Sequence, residues 1–400
     1  MEISYLRDIA DIQTGPFGSQ LHKEDYVEEG TPIVTVEHLG NRIFAEQNLP
    51  KVAREDKKRL KKYILMEGDI VFSRVGSVDR CSYVDKAHDG WMFSGRCLRI
   101  RPQKGINPLY LYYYFCTEET KQFIRNIAVG ATMPSINTKL MGEVKIAYPS
   151  EIIQKKLVSV LGKIDDKIEL NNAINENLLQ QVQALYHSWF VNYGPFGGTK
   201  PADWINGSID DLGSEIICGK TPSTKKTEYY GSNTPFITIP DMHGCVYTVS
   251  TERYLSPAGV ASQSKKTIPR NSVCVSCIGT AGLVTLVSEE SQTNQQINSI
   301  VPKEGVSTYY TYLLMRTLSE TINKLGQSGS TIVNLNKTQF GKIPVIVPSK
   351  HVSQEFDFLC RPLFEKILLN QKENIKLSAL RDTLLPKLMS GKIEVSTLEL

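Results

Sequence analysis

The residues best suited to chemistry in this chain each lack the partners that chemistry requires. Gly219-Lys220-Thr221 has the ending of a phosphate-cradling loop. Such a loop needs a glycine five residues before its second glycine, but position 214 is Ser, Gly213 falls one residue early, and Pro222 follows at once. Nucleotide binding is therefore not expected there. Cys274-Val-Ser-Cys277 has the spacing of half a structural zinc site, but no second pair follows, and Cys218 and Cys245 stand isolated. A buried strand is the expected reading. The six histidines (His22, His38, His88, His187, His243, His351) suggest no Ser/His/Asp set. The chain has no Pro-Pro, so it lacks the Asn/Asp-Pro-Pro-aromatic signature of adenine methylation. Asp241 after Pro240 has no acid-x-Lys behind it, as a nuclease core would. No catalysis by this chain alone is expected.

What remains is polar loop chemistry. Residues 51–62, KVAREDKKRLKK, hold seven basic and two acidic side chains, a run that could neutralise phosphates or simply form a solvated helix face. Arg74, Arg80 and Arg96 lie in or beside turns, and arginine is the commonest reader of guanine in the major groove. Gln295 and Gln296 occupy the later region that corresponds to Gly95 and Arg96, and glutamine can read adenine.

That correspondence exists because the chain repeats itself. Residues 130–150, GATMPSINTKLMGEVKIAYPS, return 199 residues later as GSTIVNLNKTQFGKIPVIVPS, with six of 21 positions identical. TPIVTV at 31–36 is matched by TPFITI at 234–239, both reading as short strands of alternating β-branched residues with a proline at the entry. GDIVFSRVGS at 68–77 is matched by NSVCVSCIGT at 271–280, each a strand running into a glycine turn. The aromatic stretches LYLYYYF at 109–115 and TYYTYLL at 308–314 are expected to be helical. The scaffold repeats while its polar loop residues differ, the pattern of one architecture reading two things.

After each Pro-Ser the apolar period lengthens to about 3.5 residues, that of a heptad seam. The first seam is Leu157, Leu161, Ile164, Ile168, Asn171, Asn175, Leu178, Val182, Leu185 and Trp189. Its counterpart is Phe356, Cys360, Leu363, Ile367, Asn370, Asn374, Leu377, Arg381, Leu384 and Leu388, with Arg381 the exception. A polar residue in a seam costs stability and fixes register. Asn171, Asn175, Asn370 and Asn374 are expected to pair in an antiparallel coiled coil; the alternative is two separate amphipathic helices with exposed asparagines. The first helix, roughly 151–191, would be about 60 Å long and act as a spacer. Pro362 and Pro386 are expected to limit the regular length of the second.

Composition is consistent with this plan. Four hundred residues point to more than one domain. A hydrophobic content of 41% with 22% charged residues is that of a soluble globular protein, and no apolar run approaches a membrane span. The start carries acids and no apolar core of a signal peptide, and the eight cysteines are scattered, so a cytoplasmic location is expected. Net charge is +2 for 1–150, −1 for 151–192, +2 for 193–349 and +1 for 350–400. Nucleic acid would thus be bound through a local face rather than a polycationic segment.

Taken together, GPFGSQL and CGKTPST opening the two units, the TPIVTV and TPFITI strands, the Gly-small-Thr loops with Pro-Ser strand ends, and the two long helices resemble the specificity subunit of type I restriction-modification systems. The chain departs from that family where Ser94-Gly95 stands in place of the Asn-Gln seen at Asn294-Gln295, and where only Gln154 and Gln354 follow the proline strands. The resemblance implies an α+β fold of two repeated mixed α/β target recognition domains (1–150 and 193–349). A central helix (151–192) and a C-terminal helix and tail (350–400) would separate them. It implies a chain that binds double-stranded DNA, each domain reading half of a bipartite target while the helix pair sets the gap. It also implies two methyltransferase subunits holding S-adenosylmethionine and restriction subunits using ATP and Mg, with no cofactor, metal or membrane contact for this chain. A cytosolic coiled-coil scaffold with duplicated protein-binding domains is the competing reading. The loop residues expected at DNA are Gln20, Thr35, His38, Lys57, Lys58, Arg74, Ser77, Arg80, Arg96, Thr132, Asn137 and Lys139 in the first unit. In the second they are Lys220, Thr221, Ser223, Lys225, Thr238, His243, Thr280, Gln295, Gln296, Thr331, Asn336 and Lys337.

Overall fold

The computed structural model describes residues 1–17, 20–327 and 334–395. The chain forms two compact units: Met1–Lys167 with Leu377–Leu400, and Ile168–Lys376. Each unit therefore takes part of both long helices.

In the first unit, Ala10–Thr14, Cys97–Pro102, Ile70–Ser73 and Cys81–Tyr83 form an antiparallel sheet in that order. A second sheet orders Tyr26–Val27, Lys51–Val52, Thr31–Val34 and Met92–Phe93, with the last pair parallel. Glu2–Tyr5 pairs with Lys145–Tyr148 as a separate ribbon. The second unit has the same plan. Gly213–Cys218, Ile297–Pro302, Val273–Ser276 and Val284–Val287 run antiparallel, and Tyr247–Thr248 adds a parallel edge. Ile205–Ser208 and Pro344–Val347 form its ribbon. TPIVTV and TPFITI are strands over Thr31–Val34 and Thr234–Ile237, each turning into a short 3-10 helix beyond.

Both aromatic stretches are helical, Pro108–Cys116 and Thr308–Thr317. Asn107 accepts from the Tyr110 N–H and Ser307 from the Tyr310 N–H, satisfying donors that a helix start leaves open. Tyr110 Oη donates to the Ala147 carbonyl and Tyr310 Oη to the Ile346 carbonyl, tying each helix to its ribbon strand. The start of each long helix is also clamped. Fully buried Gln154 accepts from the Asn107 N–H and donates to the carbonyls of Gly105 and Pro149. In the second unit, Ser353 takes the corresponding bond from the Ser307 N–H at 2.7 Å.

The first long helix is regular over Glu151–Tyr186 and ends in one wider, five-residue-spaced turn, His187–Val191. That turn lets the adjacent Trp189 and Phe190 both enter the second unit's core. The second long helix runs unbroken over the 40 residues Lys350–Met389, so the limit expected from its prolines does not materialise. Pro362 is exposed, and the carbonyl it strands belongs to Phe358, whose residue is 78% exposed, so water can take the lost bond. Meanwhile Phe356, Cys360, Phe364 and Ile367 are fully buried and hold the helix in line.

Within the second unit the two long helices pack antiparallel. Asn171 donates to Asn374 Oδ1 at 2.9 Å and to Glu373 Oε2 at 2.8 Å. Asn370 donates to Asn175 Oδ1 at 2.8 Å, and Asn374 to Asn172 Oδ1 at 2.8 Å. Asn171 and Asn370 are buried, each with its own Oδ1 unpaired among the described residues, which is the cost of a polar rung. Within the first unit, Arg381 donates to the buried carboxylate of Asp165 at 2.9 Å, and Tyr113 Oη donates to the same group at 2.7 Å. The seam's exception is thus an ion pair. Among the described residues, no helix is long and apolar enough to cross a membrane.

Candidate nucleic-acid interface

Four stretches far apart in sequence meet at one end of the main sheet in each unit. In the first, Gly15 N–H bonds the Cys97 carbonyl and Arg74 N–H the Arg96 carbonyl. Ile136 N–H then bonds the Arg74 carbonyl, and Gly76 N–H the Pro134 carbonyl. In the second, Gly219 N–H bonds Ile297, Cys277 N–H bonds Gln296 and Leu335 N–H bonds Cys277, while Ile278 bridges to Asn334. The framework depends on one glycine in each unit. A Cβ on Gly15 would overlap the Ser94 carbonyl, and one on Gly219 would overlap the Asn294 carbonyl. The glycine of the Gly-Lys-Thr sequence therefore permits backbone packing, and Lys220 N–H bonds the Thr293 carbonyl at 2.9 Å.

The first tip presents Arg74, Arg96, Ser77 and Thr132. Arg96, Ser77 and Thr132 are exposed. Arg74 is half-buried: its Nη1 donates to the Gly95 carbonyl, its Nε is buried without a partner among the described residues, and its guanidinium lies 5.9 Å from the Phe17 ring centre. The second tip presents Lys220, Thr221, Thr280, Gln295 and Gln296. Thr221 Oγ1 donates to Gln295 Oε1 at 2.7 Å, and Gln296 reaches the Ile278 carbonyl at 3.5 Å. Thr280, Ser223 and Lys225 are exposed beside them.

Several of the other expected contacts also have partners within the fold. His38 is 2% exposed, with one ring nitrogen on Thr35 and the other near the Gln47 carbonyl, so it is a buried cap and not a groove reader. Thr35 caps the same short helix, and Thr238, only 6% exposed, does so in the second unit by donating to Asp241. His243 follows that cap and is exposed. Arg80 Nη2 donates to the Leu39 carbonyl, and Gln20 Oε1 accepts from Tyr63 Oη at 2.6 Å. Asn137 and Asn336 cap short helices by accepting the N–H of Leu140 and Gln339, with Lys139 and Lys337 exposed on those helices. Lys57 and Lys58 lie on the short helix Arg54–Arg59, Lys58 exposed and Lys57 partly covered. Part of that basic run is spent internally, since Arg59 donates to the Gln20 carbonyl and to Asp56. Thr331 lies outside the described residues.

The Cys274–Cys277 pair belongs to a fully buried strand and its turn. Burial pushes both thiols up to about 12, so neither supplies a thiolate at neutral pH. Phe17 and Met133, 61% and 66% exposed on the first tip, are absent from any reading of polar loops. The available signal was a large apolar side chain placed inside a Gly/Pro loop.

The family described as the type I restriction modification DNA specificity domain matches residues 1–180 and 201–379. The chain is 33% identical to the type I restriction enzyme HindI specificity subunit of Haemophilus influenzae, over 86% of this chain and 90% of that one. It is 25% identical to the MjaIX specificity subunit of Methanocaldococcus jannaschii, over 99% and 94%. Among solved structures, the S subunit of a type I restriction-modification system from M. genitalium superposes with a TM-score of 0.60 at 14% identity, covering 97% of this chain and 95% of that one. That likeness concerns the fold. Doubled domains, doubled tips and a match across both halves agree: the chain belongs to the family of type I restriction-modification DNA specificity subunits.

Proposed function

We propose that each unit reads one half of a split double-stranded DNA target through the tip of its main sheet, and that the paired helices set the gap between halves. The observation that carries this reading is the pair of equivalent tips. The same backbone meeting of four stretches presents Arg74 and Arg96 in one unit and Gln295 and Gln296 in the other. Guanidinium and carboxamide groups match different base edges, so one framework suits two unlike half-sites. On this reading the chain is non-catalytic and works in the cytoplasm. Two methyltransferase subunits dock on the helices and hold S-adenosylmethionine for adenine methylation. Restriction subunits, using ATP and Mg, join the same complex.

The test is a base-resolution adenine methylation map of the source cell with and without this gene. Loss of methylation at one split motif is the expected result. A map unchanged by the deletion, in cells shown to express the chain, would overturn the reading.

A further inference from the structure

We infer that Phe17 reads the 5-methyl group of a thymine in the half-site bound by the first unit, an inference that rests on the function proposed above. Phe17 stands two residues after Gly15, as Thr221 stands two residues after Gly219. In the second unit that position is polar and meets Gln295. In the first it is a phenylalanine whose Cβ sits against a glycine: a Cβ added to Gly95 would lie 2.8 Å from Phe17 Cβ. The two positions differ together: Thr221 with Gln295 in the second unit, Phe17 with Gly95 in the first.

Phe17 is held in place and yet left open. Its Cβ packs against the Gly95 backbone, and the Arg74 guanidinium stands beside the ring, while 61% of the residue stays exposed. Scattered exposed apolar residues are ordinary. This one stands beside Arg74 and against Gly95, the residue before Arg96, at the face where base edges would arrive, and Met133, 66% exposed, lies one residue before the Pro134–Gly76 bond. The guanidinium groups supply charge for phosphate or guanine and offer nothing to a methyl group. Among base pairs viewed from the major groove, thymine alone carries an apolar substituent, and contact with phenylalanine is a recognised way to read it.

Uracil is thymine without that methyl, so the probe is a duplex carrying the methylated split motif, with each thymine replaced in turn by deoxyuridine. The protein is the complex purified from source cells through a tag on this chain, native or Phe17→Ala. One thymine in one half should be sensitive, its replacement weakening native binding about fourfold, the worth of one buried methyl-sized group. The Phe17→Ala complex should bind the thymine duplex as weakly as native binds the uracil duplex, and should not distinguish the two. An exposed residue can be replaced without loss of fold. Native protein indifferent to every replacement, or a variant that still discriminates, would overturn the inference while leaving the split-target reading intact. Absence of any split motif would instead remove that reading, and this inference with it.

Discussion

In the first unit the loop after the close-approach glycine carries Phe17, set against Gly95 beside Arg74; in the second it carries Thr221, hydrogen-bonded to Gln295 at 2.7 Å. The glycines and the backbone bonds around them are the same, and the side chains that leave the framework are not. A second contrast lies on the long helices. The first unit buries Asp165 against Arg381, whereas the equivalent positions 199 residues away, Phe364 and Val182, are both fully buried in the second unit's apolar core. The backbone meeting of loops must be preserved for either tip to exist, but a seam position can be filled by an ion pair or by two apolar groups. The backbone meeting serves the fold, while the tip side chains and the filling of the seam are free to differ.

The largest effect should come from breaking the ion pair. Arg381→Ala leaves the Asp165 carboxylate buried and unpaired, and should cost about 3 kcal/mol in chemical denaturation. Giving the first unit the apolar solution of the second, Asp165→Phe with Arg381→Val and Tyr113→Phe to remove the stranded hydroxyl, should recover most of that loss. A triple variant no more stable than Arg381→Ala would show that the two seam solutions are not interchangeable.

Next are the glycines. Gly15→Ala and Gly219→Ala each force a Cβ into a backbone carbonyl, and each should cost about 2 kcal/mol, read as a lowered melting temperature. Equal losses would support equivalent frameworks. A tolerated substitution in one unit would mean that its loops can part without consequence.

The smallest effect on stability, and the sharpest on specificity, should come from the second tip. Gln295 is exposed, so Gln295→Ala should change stability by less than about 0.5 kcal/mol. It should relax one base position by about 1 kcal/mol, visible as extra methylated motifs that vary in one half only. Relaxation in both halves would break the assignment of one tip to one half.

Much of the fold was legible because it is written in local periods. Alternation marked Thr31–Val34 and Thr234–Ile237, and the heptad spacing marked both long helices. The continuity of the second helix through Pro362 was not legible, since it depends on which face of that helix meets solvent. The candidate site was legible in part. Arg96, Gln295 and Gln296 could be picked because they sit in turns of corresponding strands. Thr35, His38 and Thr238 have the same residue types but are consumed as caps, and nothing in a residue's type announces that its ring or hydroxyl is already bonded.

The duplication, the strand and helix periods, the asparagine rungs and the divergence of polar loops are all written in the amino-acid order, because each is a matter of residue identity at a fixed spacing. That residues near 15, 75, 95 and 135 form one tip is settled by the folded chain, because that meeting follows from the order of strands in a sheet. It alone also brought Asp165 to Arg381 and set Phe17 against Gly95. Those contacts join positions whose separation along the chain carries no period, and they are chosen by packing rather than by any local preference.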